Sequence, residues 1–219
     1  MNFTAILQTL EAHKNEAKSL AMSAYMKNNF PFLGIQSPLR RELVKPFLVA
    51  MKKENSVDWH FIEQCWACAY REMQYVALDY LASKKRFLTP ADVPRLKQLA
   101  EEKSWWDSID CLDRIIGSIA LRFPEVNEIL LQWSASPNKW LRRIAIDHQL
   151  LRKNLTNTDL LEKILLNNLS QTEFFINKAI GWALRDYSKT NPQWVRAFIE
   201  TNESKMASLS IKEASKYLT

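Results

Sequence analysis

The stretches LRRELVKPFL (39–48), MQYVALDYLA (73–82), IDCLDRIIGS (109–118), RIAIDHQLL (143–151), KAIGWALRD (178–186) and KEASKYL (212–218) fall into one register. Leu43, Ala77, Cys111, Ala145, Ala179 and Ala214 share a position, at successive separations of 34, 34, 34, 34 and 35 residues. One residue further on come Val44, Leu78, Leu112, Ile146, Ile180 and Ser215, and four on come Phe47, Leu81, Ile115, Gln149, Ala183 and Leu218. Spacing at 0, +1 and +4 is that of one helix face, so each stretch reads as an amphipathic helix with Cys111 among its core positions. Between these helices lie Val57 to Trp66, Pro90 to Glu101, Glu125 to Ser134, Asn157 to Leu169 and Pro192 to Thr201, also helical in pattern, so each period is a helix pair.

A fixed period of this length marks a repeat architecture. The Trp, Leu-Gly and Tyr pattern of tetratricopeptide repeats is missing, as is the Thr-Pro-Leu-His run of ankyrin repeats, and HEAT-like repeats fit best. The sequence therefore predicts an all-α fold. It is a single right-handed α-solenoid of about six HEAT-like repeats with one extra N-terminal helix, a single domain over residues 1–219, and the second helix of each pair lining a concave face. Thr89-Pro90 and Asn191-Pro192 place a capping side chain before a proline at the first helical position, and Ser37-Pro38 and Ser136-Pro137 read the same way.

Composition agrees. Three glycines in 219 residues leave little for hairpins or phosphate-cradling loops. Thirty Lys and Arg against 24 Asp and Glu give a formal charge of +6, which points to a polyanionic partner. Three cysteines, an odd number, imply a reducing compartment without a disulfide framework. MNFTAILQTLEAHK does not read as a secretory leader, and no apolar run reaches the roughly 18 residues of a membrane span, so a soluble cytoplasmic protein is expected. Cys65 and Cys68 form a CxxC with no second pair, and His13, His60 and His148 are widely spaced, so neither a metal nor a cofactor is expected. His148 reads as a surface histidine.

At about 100° per residue, the arc of each second helix opposite the core holds Arg41, Lys45, Arg114, Arg143, Lys178, Arg185, Lys212 and Lys216 against Glu72, Asp79, Asp110, Asp113, Asp147 and Glu213. Charge alone describes a solvated mixed surface equally well. More informative are Trp106, Trp140 and Trp182 on that same arc, because large aromatic side chains seldom face away from a core. Trp106 and Asp110 are four residues apart and share a face, and Arg143 projects from the same arc one repeat later. Gly117 and Gly181 lie on the arc too, inside helices, where a ligand near the backbone or tight helix packing would each explain them. In KSWWDSID, Ser104 reads as a helix cap with Asp107 in the first turn, and Trp105 turns toward the core.

YMKNNFPFLGIQSPLRR (Tyr25 to Arg41), KSWWDSID (Lys103 to Asp110), WLRR (Trp140 to Arg143) and FFINKAIGWALRDYSKTNP (Phe174 to Pro192), in this order, resemble the AlkD family of DNA alkylation-repair glycosylases over the whole chain. The resemblance implies hydrolysis of the N-glycosidic bond of cationic N3- and N7-alkylated purines, such as 3-methyladenine and 7-methylguanine, in double-stranded DNA. It implies Asp110 as the catalytic carboxylate, Trp106 and Trp182 as the active-site tryptophans and Arg143 as the cleft arginine holding a backbone phosphate. Tyr25 belongs to a DNA-contacting helix, and Lys178, Arg185 and the Arg40-Arg41 pair assist at the backbone. The enzyme it implies is a monomer without cofactor, metal or membrane, acting without base flipping. Two other readings are a catalytically silent relative that binds DNA structure and a helical-repeat protein scaffold.

Overall fold

The computed structural model describes residues 3–218. Among them thirteen α-helices and five short 3-10 segments carry the fold, with no strand. The chain divides into two compact units, Met1–Leu88 and Thr89–Thr219. No described helix is long and apolar enough to cross a membrane.

The first unit holds α1 (Phe3–Glu11), α2 (Glu16–Tyr25), α3 (Ser37–Lys52), α4 (Trp59–Ala67) and α5 (Arg71–Lys84). Helix α1 packs on α3 and α4, and α5 packs on α3 and α4. Between α2 and α3 the buried segment Phe30, Phe32, Leu33 and Ile35 is pinned by one carboxylate. Glu72, the second residue of α5, accepts hydrogen bonds from the backbone N–H groups of Leu33 (3.0 Å), Gly34 (2.9 Å) and Ile35 (3.1 Å). Three donors on one carboxylate replace the water it loses, which is why Glu72 sits in the interior and not on the solvated arc. Gly34 has φ +89°, and a Cβ there would lie 2.0 Å from the Asn15 carbonyl oxygen, so no other residue fits that turn.

The second unit holds α6 (Val93–Glu101), α7 (Trp106–Arg122), α8 (Val126–Trp133), α9 (Lys139–Asp147), α10 (Thr158–Leu166), α11 (Phe174–Ser188), α12 (Pro192–Asn202) and α13 (Ser208–Ala214). Helix α6 packs on α7, α8 on α9 and α12 on α11, while α7, α9, α11 and α13 stack one on the next. The sequence period reappears in their hydrogen bonds. Asn167 Nδ2 donates to Ser134 Oγ, Lys139 Nζ to Glu173 and Arg152 to the Gly117 carbonyl, each across 33 to 35 residues.

Helix starts are met in part. Asn191 Oδ1 accepts from the Trp194 N–H at 3.0 Å, and Thr89 forms a reciprocal capping box with Asp92. Ser37 lies inside α3, behind Gln36 at the cap. Ser136 accepts from the Asn138 N–H, and Asn138 in turn caps α9. Ser104 is not the cap of α7 either: its hydroxyl donates to the Ala100 carbonyl, and Trp105 occupies the cap position.

Three burial expectations are corrected. Cys111 is exposed. Helix α7 buries Ile109, Leu112, Ile116, Ile119 and Ala120, an arc whose opposite side at 100° per residue carries position 111. Trp140 is buried, because the seam between stacked second helices covers a flank that a single-sided helix would expose. His148 is buried at the C-terminus of α9, its Nδ1 2.6 Å from the Ala145 carbonyl oxygen. A carbonyl only accepts, so Nδ1 carries the proton, and burial with nearby Arg152 pulls the His148 pKa down to about 3.

Candidate functional site

Helix α7 presents Trp106, Asp110, Asp113 and Gly117 as a stripe at spacings of four, three and four, the edge of its buried arc. That stripe faces α9. A Cβ on Gly117 would lie 2.1 Å from the His148 carbonyl oxygen, so glycine there serves close helix approach. Helix α9 answers with Arg143 and Asp147, four residues apart.

Arg143 Nε donates to Asp110 Oδ1 at 2.8 Å and one terminal nitrogen donates to Oδ2 at 3.0 Å, a two-pronged pair. The other terminal nitrogen donates to the Phe175 carbonyl at 2.7 Å. The Arg143 side chain is 2% exposed and that of Asp110 18%, so the carboxylate keeps an edge to solvent and the guanidinium does not. Burial lowers the Arg143 pKa, but Asp147, Asp110 and Asp113 outweigh it and leave the guanidinium above its ordinary value. Arg143, expected to hold a phosphate, spends its donors on Asp110 and Phe175.

Phe175 is itself fixed by aromatic packing. Its ring lies 5.3 Å from Trp105 and 5.0 Å from Trp140, centroid to centroid, and Trp105 lies 5.7 Å from Trp140. Trp105 and Trp140 thus buttress the arginine from behind. The Trp105 Nε1 finds no hydrogen-bond partner among the described residues.

Trp182 of α11 is half-buried beside Arg143, whose guanidinium carbon is 5.1 Å from the ring centroid. Lys178 and Arg185 bracket the same ring at 5.9 and 5.8 Å. Both also donate to Glu213 of α13, at 2.7 and 2.6 Å, and Lys216 adds a third contact at 3.0 Å. Hydrogen bonds from Lys178 and Lys216 hold the Glu213 pKa down at about 2. Glu213 reaches this position because Gly181 lets α13 approach: a Cβ on Gly181 would lie 2.5 Å from the Glu213 Cβ. Both helical glycines therefore serve packing.

Within the second unit the structure brings Asp110, Arg143, Trp182, Lys178 and Arg185 together, with half-buried Trp106 one turn before Asp110. In the first unit Tyr25, at the end of α2, is 69% exposed and Arg41 is exposed. Arg40 is corrected: it is buried, donates to Asp79 at 3.0 Å and lies over the Tyr75 ring, so its charge is already engaged.

By their place on the solvated arc Asp113, Asp147 and Glu213 read as surface acids. All three are buried. The signal was present, since Asp113 is three residues after Asp110 and Asp147 four after Arg143, which puts them on the faces of the residues already chosen. Ligand atoms of Asp110, Asp113 and Asp147 gather within 4.8 Å of one another. Because a guanidinium takes both oxygens of Asp110, we assign no metal ligand there.

The model of the DNA alkylation repair enzyme family matches residues 6–218. A solved structure, a predicted DNA alkylation repair enzyme from Enterococcus faecalis, is 37% identical with a TM-score of 0.86, covering 94% of this chain and 97% of that one. No curated protein matches significantly.

Proposed function

The chain belongs to the family of DNA alkylation repair enzymes, and from that membership we propose that it is a monofunctional DNA glycosylase of the AlkD kind. It acts as a cytoplasmic monomer on duplex DNA, and its helix pairs are HEAT-like repeats. The carrying observation is Asp110, an aspartate with one edge open to solvent and its other edge fixed by a buried arginine beside Trp182.

An N3- or N7-alkylated purine bears a positive charge, so it departs neutral with the bonding pair of the C1′–N bond and needs no general acid. What the enzyme supplies is stabilisation of the oxocarbenium-like sugar and orientation of the attacking water, both within reach of one carboxylate. Asp110 provides these and receives the proton the water gives up. The faces of Trp106 and Trp182 attract the cationic nucleotide by about 0.5–2 kcal/mol each, which favours charged lesions over neutral bases. Arg143 acts by orienting Asp110. Phosphates are met by Lys178, Arg185 and Arg41, and Tyr25 contacts the duplex.

Incubating the protein with methylated duplex DNA and measuring free 3-methyladenine and 7-methylguanine tests this. Release of both is expected. DNA binding without release would make the protein a silent DNA-binding relative, and absence of both would leave the scaffold reading.

A further inference from the structure

Below the Asp110 and Arg143 pair lie two acids for which the reaction as described has no use. Asp113 of α7 and Asp147 of α9 are each 1% exposed, and with Asp110 they place three carboxylates within 4.8 Å. Among the described residues Arg143 is the guanidinium that reaches into the cluster, and Arg114 acts on it through charge. The donors of Arg143 go to Asp110 and to the Phe175 carbonyl, and Nε stands 3.9 Å from Asp147 Oδ2, beyond hydrogen-bond length. Asp113 Oδ1 and both oxygens of Asp147 have no hydrogen-bond partner among the described residues.

Buried carboxylate oxygens without donors are costly, and so are three negative charges gathered in the interior. A proton resolves both, because it removes a charge and turns one acceptor into a donor for the facing carboxylate. We propose that Asp113 and Asp147 form a protonated pair beneath Asp110, and that Asp147 is a positioning residue whose ionisation leaves one proton shared between the two and decides which carboxylate Arg143 holds.

The surroundings favour the protonated pair. Asp147 faces Arg143 on its own helix, Asp110, Asp113 and Arg114 on α7, and Asp186 on α11. Burial is the largest influence and raises its pKa to about 7, with Asp110 and Asp186 adding to the rise and Arg143 and Arg114 opposing it. Burial and the two neighbouring acids push Asp113 well above the carboxylate range. Below neutrality the pair is protonated and the guanidinium is left to Asp110. As pH rises, an ionised Asp147 competes for the Nε that is already 3.9 Å away, and the fork on Asp110 loosens. Base release therefore carries a basic limb that originates in a residue out of reach of the substrate.

The catalytic consequence rests on Asp110 being the reacting carboxylate, whereas the shared proton does not, and the experiment separates the two. In the full chain labelled with carboxyl-13C aspartate, a buried carboxyl is expected to titrate near neutrality and to vanish in Asp147→Asn. Asp113→Asn, a second variant should the first fold poorly, is expected to shift that titration to lower pH. Two carboxylates ionised throughout the range from about pH 5 to 8 would overturn the proposal, as would a transition unchanged in both variants. In parallel, single-turnover release of 7-methylguanine is expected to fall several-fold above neutrality in the wild type and to stay flat in Asp147→Asn. A flat wild-type profile with measurable release overturns the positioning role. Absence of release overturns the glycosylase reading alone, and the titration still decides the proton.

Discussion

Each unit contains a buried arginine that reaches an aspartate on the neighbouring second helix and lies over an aromatic ring. In the first unit Arg40 meets Asp79 at 3.0 Å with Tyr75 at 4.8 Å, and in the second Arg143 meets Asp110 at 2.8 and 3.0 Å with Trp182 at 5.1 Å. The surroundings differ. The buried acid of the first unit, Glu72, has three backbone donors, while Asp113 and Asp147 of the second leave three oxygens unpaired. Satisfied polar groups fasten helices to one another. Arg40 Nε and Gln74 Oε1 of the first unit also lack partners, but the buried carboxylate oxygens left without donors all lie in the second, the unit in which chemistry is proposed.

Removing the two arginines should separate these roles. Arg143→Ala removes the guanidinium that pairs with Asp110 and neighbours Asp147, leaving only the charge of Arg114, and is expected to cost about 3–5 kcal/mol in urea denaturation. Arg40→Ala leaves only Asp79, which solvent reaches, and should cost less, about 1.5–3 kcal/mol. Equal losses would mean that the acidic cluster draws nothing from Arg143.

The two kinds of buried acid can be compared in the same way. Glu72→Gln puts an amide against three N–H donors and is expected to cost about 1–3 kcal/mol. Asp147→Asn should cost nothing at about pH 8 and should change the shape of the stability curve. With its folded pKa raised to about 7 from an ordinary 3.8, Asp147 contributes stability that is present below the unfolded value and lost as pH rises through about 7. Asp147→Asn is expected to remove the part of the decline centred near pH 7 and to leave the part that Asp113 contributes.

His148 has the opposite sign and a smaller effect on the site, because it lies past the end of α9. Its folded pKa is lowered to about 3 from 6.5, so its contribution is complete above the unfolded value and falls as pH drops from there toward about 3. His148→Gln should flatten the acid side of the curve. An unchanged acid limb would show that another group causes it.

How far the sequence carries the reading follows from the same physics. The 34-residue beat, the helix pairs and the Asn191 cap depend on local spacing and local hydrogen bonds, and they are legible without coordinates. Trp140, Arg143 and Glu213 read as exposed because 100° bookkeeping gives each helix one covered side, while α9 is covered along its flanks by α7 and α11, and α13 by α11. Cys111 failed for a related reason: α7 turns its buried arc away from the position that Ala145 and Ala179 bury in α9 and α11. The association of Asp110 with Arg143 was legible as a shared arc. Its two-pronged geometry and the acids beneath it depend on how α7 seats against α9, which Gly117 permits and spacing does not reveal.

The most direct test of the account compares Asp110→Asn with the wild type in single-turnover release of 7-methylguanine from duplex DNA, with duplex affinity measured on the same preparations. Loss of roughly 100- to 1,000-fold in rate with affinity within about threefold is expected, since a carboxylate aimed at the developing sugar cation acts in the transition state. A variant that releases base as fast as the wild type would contradict it.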